Sequence, residues 1–211
     1  MIAIVDYGAG NLTSVRLALE RIAARVAVTS EPAAILAAER VIFPGVGAIG
    51  AAMARLKAAG LDGALRETVA RGTPFLGICL GAQIVFEHSE EDGGVAGLGL
   101  LPGTVPAFPR GLPGAKIPQI GWNQVTFRLP HPLFEGIASG AEFYFVHGYY
   151  PAPADPAHVL AETDYAGRTF ASVAGQDNLA VTQFHPERSG RVGLKLLENF
   201  ARWDGKGGAA C

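Results

Sequence analysis

The sequence is poor in cysteine, in charge of one sign and in long apolar runs, and each shortage narrows what the chain can be. Two cysteines occur in 211 residues, Cys79 and the terminal Cys211. The second follows a small, glycine-rich tail, Gly205-Lys206-Gly207-Gly208-Ala209-Ala210, so a structural disulfide is not expected and a reducing cytoplasm fits. Net charge is −2 and no run of lysines and arginines occurs, so the field required for unspecific binding to nucleic acid or a membrane surface is missing. The opening apolar run, residues 1–5, ends at Asp6, too short for a signal-peptide core or a bilayer span. Histidines, cysteines and acids nowhere fall at metal-ligand spacing, and no cofactor is expected.

Apolar residues make up 49% of the chain, enough at this length for a sizeable core. Short apolar runs alternate with amphipathic stretches in the first half. Residues 2–5 precede Leu12, Val15, Leu19 and Ile22 at helical spacing, with Asn11 as the expected N-cap; runs at 25–28 and 41–43 follow. Residues 48–56 and 61–70 read as helices, 75–78 as a buried strand and Leu80 onward as a helix. Such alternation predicts βα units and a parallel sheet. Between 93 and 113 the pattern turns to glycine, proline and short strands, followed by strands at 117–122, 125–129, 142–146 and 179–184. The last helix presents Val192, Leu196, Phe200 and Trp203 on one face. The expectation is one α/β domain over residues 1–203, three layers around a mainly parallel sheet with added antiparallel strands, and a flexible tail at 204–211.

Gly-Ile-Cys-Leu-Gly, residues 77–81, has the form of a nucleophile elbow, in which the chain turns sharply from strand to helix and exposes the central side chain. The two glycines leave room for close backbone approach. At a helix N-terminus the unpaired N–H groups favour an anion, so Cys79 is placed to act as a thiolate and the Leu80 N–H to face a developing oxyanion. A thiolate needs a base. Of His88, His131, His147, His158 and His185, the last lies in Gln-Phe-His-Pro-Glu, at the carboxyl end of the run 179–184, the edge where open α/β sheets build sites. In extended chain His185 and Glu187 project to the same side, so the carboxylate orients the imidazole as the third member of a Cys-His-acid arrangement. Pro-Gly-Val-Gly, residues 44–47, follows a strand and is the candidate for a second oxyanion donor. Asp-Tyr-Gly-Ala-Gly-Asn-Leu, residues 6–12, has Thr13 where a dinucleotide fingerprint wants its third glycine, and reads instead as a turn that faces a partner.

Together, Cys79 in Gly-Ile-Cys-Leu-Gly-Ala-Gln and His185 and Glu187 in Gln-Phe-His-Pro-Glu-Arg-Ser resemble the class I, or triad, glutamine amidotransferases, whose fold is a flavodoxin-like three-layer α/β arrangement. Within that superfamily, residues 6–12, Pro-Gly-Val-Gly-Ala at 44–48, Pro-Gln-Ile-Gly-Trp-Asn at 118–123 and Tyr-Phe-Val-His-Gly-Tyr-Tyr at 144–150 resemble the glutaminase subunits of imidazole glycerol phosphate synthases. The resemblance implies a heterodimer with a (β/α)₈ cyclase subunit, which uses the ammonia released from glutamine to make imidazole glycerol phosphate and an aminoimidazole carboxamide ribotide in histidine biosynthesis. It implies Cys79, His185 and Glu187 as the triad and Leu80 with Val46 or Gly47 as oxyanion donors. Gln83, Gly148 and Tyr149 would hold the substrate, and Asn11, Trp122, Asn123, Tyr144, His147 and Arg188 would form the docking face. Three positions depart from the family pattern: Ala82 for methionine, Gly148 for serine or threonine, and Arg188 for lysine. The alternatives left open are a glutaminase subunit of another pathway, a cysteine hydrolase acting without a partner, and a non-catalytic regulatory subunit of the same fold.

Overall fold

A computed structural model describes residues 1–109, 111 and 116–207. Cys211 and residues 208–211 of the expected tail lie outside these, as do residues 110, 112 and 113 of the glycine- and proline-rich stretch. Trp203 Nε1 donates to the Lys206 carbonyl at 2.6 Å, and Lys206 N–H to Asp204 Oδ1 at 2.9 Å.

The elements run β1 (Ile2–Val5), α1 (Leu12–Arg21), β2 (Val26–Thr29), α2 (Pro32–Leu36), β3 (Arg40–Gly45), α3 (Ile49–Ala58), α4 (Leu61–Ala70), β4 (Phe75–Cys79), α5 (Leu80–Ile84), β5 (Phe86–Ser89), β6 (Val95–Ala96) and β7 (Leu101–Val105). They continue with β8 (Gln119–Phe127), β9 (Ala141–His147), β10 (Ala152–Pro153), β11 (Val159–Tyr165), β12 (Arg168–Gln176), β13 (Leu179–Thr182) and α6 (Gly190–Arg202). A nine-stranded sheet has the order β2-β1-β3-β4-β13-β12-β11-β8-β9. Its first five strands are parallel and the rest pair antiparallel. A four-stranded sheet, β10-β7-β5-β6, stands beside it.

Strand periodicity produces the layers. In β1, Ile2 and Ile4 point to one side and pack with Val15 and Leu19 of α1 and Leu196 and Phe200 of α6. Ala3 and Val5 point to the other and pack with Met53 and Leu56 of α3 and Leu61 and Leu65 of α4. Because both faces are covered, the inner strands β1 and β4 are apolar throughout rather than alternating. Asn11 does precede α1, but its side chain makes no capping hydrogen bond. The helix expected from Leu80 is only five residues long, and the two strands expected at 117–122 and 125–129 are one, β8. The β11–β12 hairpin turns on Ala166 and Gly167, with φ of 52° and 67°; alanine in a left-handed position gives no turn signal in sequence.

His131 serves this packing. It caps a 3₁₀ turn by accepting the Leu133 N–H at Nδ1 (3.1 Å), and its ring lies edge-on to Trp203 at 5.1 Å. Burial pushes its pKa down to about 4. The unfolded chain, titrating near 6.5, therefore takes up a proton before the folded one, and stability falls as pH drops from about 6.5 towards 4. Between pH 7 and 5 this amounts to about 2 kcal/mol from His131. Urea unfolding of His131→Asn, which retains an acceptor at the cap, should show an acid loss smaller by about that amount; an equal loss in both proteins would contradict the assignment.

Candidate active site

The site forms at the carboxyl ends of β3, β4 and β13, where Gly45 stands opposite Cys79 in the parallel register. Cys79 ends β4 with φ 56° and ψ −107°, a conformation that L-residues avoid and that persists only when the surroundings over-determine it. The surroundings here are backbone. A Cβ on Gly81 would sit 1.9 Å from the Phe43 carbonyl oxygen, one on Gly77 2.5 Å from the Gly81 carbonyl oxygen, and one on Gly45 2.8 Å from Leu80 Cβ. Glycine at these positions lets β3, β4 and α5 touch main chain to main chain and holds the elbow closed.

Beyond β13, Gln183 and Phe184 lead to His185, whose N–H donates to the Tyr144 carbonyl at 2.9 Å. Glu187 reaches His185 by a route different from the extended segment expected. Pro186–Arg188 is a 3₁₀ turn, and it curls the carboxylate back so that His185 Nδ1 donates to Glu187 Oε1 at 2.8 Å. Ser189 ties the turn down, donating to the His185 carbonyl at 2.6 Å and accepting the Tyr144 N–H at 3.0 Å. Burial disfavours the imidazolium, but bonding to Cys79 and Glu187 and their charges outweigh it, and the His185 pKa is pushed up to about 10. Glu187 Oε2 is buried without a hydrogen-bond partner, which leaves the imidazolium as the group balancing this carboxylate.

Cys79 and His185 line one cavity of about 160 Å³ with Val46, Gly47, Leu80, Gln83, Glu91, Val146, His147, Gly148 and Tyr149. A wider cleft of about 620 Å³ shares Glu91, Gly148 and Tyr149 with it. Gln83 Nε2 donates to the Tyr149 carbonyl at 3.0 Å and to Gln183 Oε1 at 2.9 Å, and Gln183 Nε2 reaches Cys79 Sγ at 3.8 Å. The Val46 N–H points to the Tyr7 hydroxyl at 3.3 Å, so of the two second-donor candidates it is already engaged. Glu91, Gln183, Ser189 and Tyr7 are site residues that sequence reasoning did not single out. Gln183 and Ser189 are the first and last residues of a motif it did recognise, though it gave them no role, whereas Glu91 lies in a 3₁₀ turn remote in sequence and carries no local signal.

The expected docking residues divide. Trp122 is 54% exposed beside Ile120 at 64%, meets Tyr144 edge-on at 6.1 Å, and the Arg188 guanidinium lies 5.0 Å from the Tyr144 ring. Asn123 donates to the Asp164 carbonyl at 3.0 Å, and Asn11 is half-buried. His147 is a correction: it is buried, because the alternation of β9 turns it inward with Phe143 and Phe145. Its Nδ1 donates to the Tyr149 carbonyl at 2.8 Å and its Nε2 lies 3.0 Å from the Gln119 carboxamide, while burial holds its pKa down to about 4. It braces the Gly148–Tyr149 wall of the cavity rather than a surface.

A family model described as glutamine amidotransferase class-I matches residues 3–203. A relative from Aromatoleum aromaticum, imidazole glycerol phosphate synthase subunit HisH, is 51% identical over 210 residues, 96% of this chain and 98% of its own. Its namesake from Dehalococcoides mccartyi is 52% identical over 200 residues, 95% and 96% of the two chains. The chain belongs to the HisH family of class-I glutamine amidotransferases. A crystal structure of a glutamine amidotransferase superposes with a TM-score of 0.73 at 18% identity, covering 95% of this chain and 99% of that one, so the HisH-family chain shares the superfamily fold well beyond close relatives.

Proposed function

We propose that this chain is the glutaminase subunit of an imidazole glycerol phosphate synthase, hydrolysing glutamine with Cys79 and delivering ammonia to a (β/α)₈ cyclase subunit in histidine biosynthesis. The observation that carries the reading is the strained Cys79 sharing a small cavity with a His185 that is itself paired to a buried Glu187.

Glutamine enters from the wide cleft, and the Glu91 carboxylate, which borders both spaces, meets its ammonium group while the Gly148–Tyr149 backbone meets the rest. The Cys79 thiolate adds to the side-chain amide carbon. The oxyanion takes the Leu80 N–H and a second N–H from the segment 44–47, each worth roughly 3 kcal/mol in the transition state. The His185 imidazolium gives its proton to the amide nitrogen, the C–N bond breaks, and ammonia leaves a γ-glutamyl thioester. Neutral His185 then takes a proton from water, hydroxide adds to the thioester, and the C–S bond breaks to give glutamate and the thiolate. Gln83 and Gln183 hold Tyr149 and Cys79 in place, and Glu187 keeps His185 charged for the first step. Trp122, Asn123, Tyr144, Arg188 and Asn11 form the face on which the cyclase docks.

Glutamate release by the purified chain, alone and with a cyclase subunit and its ligand, tests the reading. Strong stimulation by the loaded partner is expected; fast turnover without a partner would point to an autonomous hydrolase. The pH profile tests the role of Glu187. Activity that needs the imidazolium should persist into the alkaline range and fall as pH rises through about 10. Because Glu187 raises the His185 pKa, Glu187→Gln should move that alkaline limb to lower pH and lower the plateau; an unmoved limb would remove Glu187 from the proton chemistry.

A further inference from the structure

Gln183 follows β13 and is fully buried, with its backbone fixed by an N–H bond to the Ser172 carbonyl at 2.9 Å. A buried carboxamide needs partners for both of its ends. Gln183 finds them in Gln83, at 2.9 Å, and in Cys79 Sγ, at 3.8 Å. Which end faces which follows from a third group. The Tyr149 carbonyl can only accept, so the end of Gln83 that lies 3.0 Å from it is the amino end. The same amino group meets Gln183 with its second hydrogen, so Gln183 must offer its oxygen there. The amino end of Gln183 is left facing the sulfur. Reversing either amide would set two acceptors or two donors against each other inside the protein.

Sγ also has an acceptor beside it, the Val146 carbonyl at 3.7 Å. A thiol satisfies that carbonyl by donating its proton, whereas a thiolate has no proton to give and needs a donor instead. On the reading that Cys79 is the nucleophile, we propose that Gln183 is a further catalytic residue: its amide N–H, aimed by a relay from the Tyr149 carbonyl through Gln83, donates to the Cys79 sulfur and stabilises the negative charge that the sulfur carries before attack and regains when the thioester is cleaved. Such a bond is weak to a neutral thiol and stronger to a charged sulfur, so it favours the form that attacks.

Two substitutions separate this role from packing. Gln183→Met keeps the length of the side chain and removes its donor. Gln183→Glu keeps the oxygen that accepts from Gln83 and turns a second oxygen towards the sulfur. The partner-stimulated kcat should fall about tenfold in Gln183→Met, the value of one hydrogen bond to a charged group, and further in Gln183→Glu. The KM for glutamine should stay nearly unchanged, because Gln83 still holds Tyr149. A residue that served only to hold Gln83 would give the reverse order, since glutamate accepts that bond and methionine does not, and the reverse order overturns the proposal. Alkylation of Cys79 by iodoacetamide at neutral pH, followed on the Cys79 peptide by mass spectrometry in the partner-free chain, supplies a readout without glutamine. It should slow in the same order as kcat, and an unchanged rate in either folded variant overturns the proposal. Absence of glutamate release by the wild-type chain in every mixture would defeat the glutaminase reading instead, and the alkylation result would still decide the role of Gln183.

Discussion

Cys79→Ala is expected to abolish glutamate release, by about 10⁴-fold or more, both alone and with the loaded cyclase. The thiolate sulfur is the atom that bonds to substrate, and no other group in the cavity replaces it: His185 Nδ1 is tied to Glu187, and Gln83 and Gln183 are non-nucleophilic amides already bonded to the walls. The variant should nevertheless fold and bind its partner. Alanine suffers the same left-handed φ as cysteine, so the strain is unchanged, and Sγ holds only weak partners, the Val146 carbonyl at 3.7 Å and Gln183 at 3.8 Å. Unfolding should shift by less than about 1 kcal/mol. Retention of more than a tenth of the stimulated rate, after correction for contaminating glutaminase, would refute a nucleophilic role for Cys79.

The second large effect is on the scaffold. Gly81→Ala replaces glycine by the best helix former in a helical position, a change that favours an exposed helix by about 1 kcal/mol. At Gly81 the new Cβ would lie 1.9 Å from the Phe43 carbonyl oxygen, and that oxygen belongs to the backbone of β3 and cannot swing aside. Relief requires α5 to move off β3, so a loss of at least about 3 kcal/mol is expected, beyond ordinary overpacking of flexible side chains. Displacing Phe43 also displaces Pro44–Gly47 at the end of the same strand, so any folded fraction should be a poor catalyst. Gly63→Ala in α4 is the control: nothing lies within 4 Å of its Cβ position, and it should be neutral or stabilising. Denaturant midpoints for the pair decide the point, and equal midpoints would show that backbone contact is not what requires glycine in the elbow.

The parallel half of the sheet was legible because its physics is local. Strands buried on both faces read as unbroken apolar runs, and α1 and α6 carry one apolar stripe each. The elbow was legible for a similar reason, since strand, glycine, cysteine and glycine are contiguous. The hairpin β11–β12 was missed because Ala166 adopts a left-handed turn that only the pairing of its strands enforces. His147 was misassigned to a surface although the alternation Phe143, Phe145, His147 already placed it inside.

By itself, then, the sequence determined the α/β class, the family, and the residues with the chemical capacity for the reaction, because those depend on side-chain type and short-range pattern. Only the tertiary structure decided their arrangement. It brought Cys79 and His185, far apart in the chain, to neighbouring strand ends, curled Glu187 back through a 3₁₀ turn, added Glu91 to the cavity and set Tyr7 on the Val46 backbone. The reason is physical: these contacts join segments distant in sequence, and their energies depend on distances and burial that no local pattern specifies.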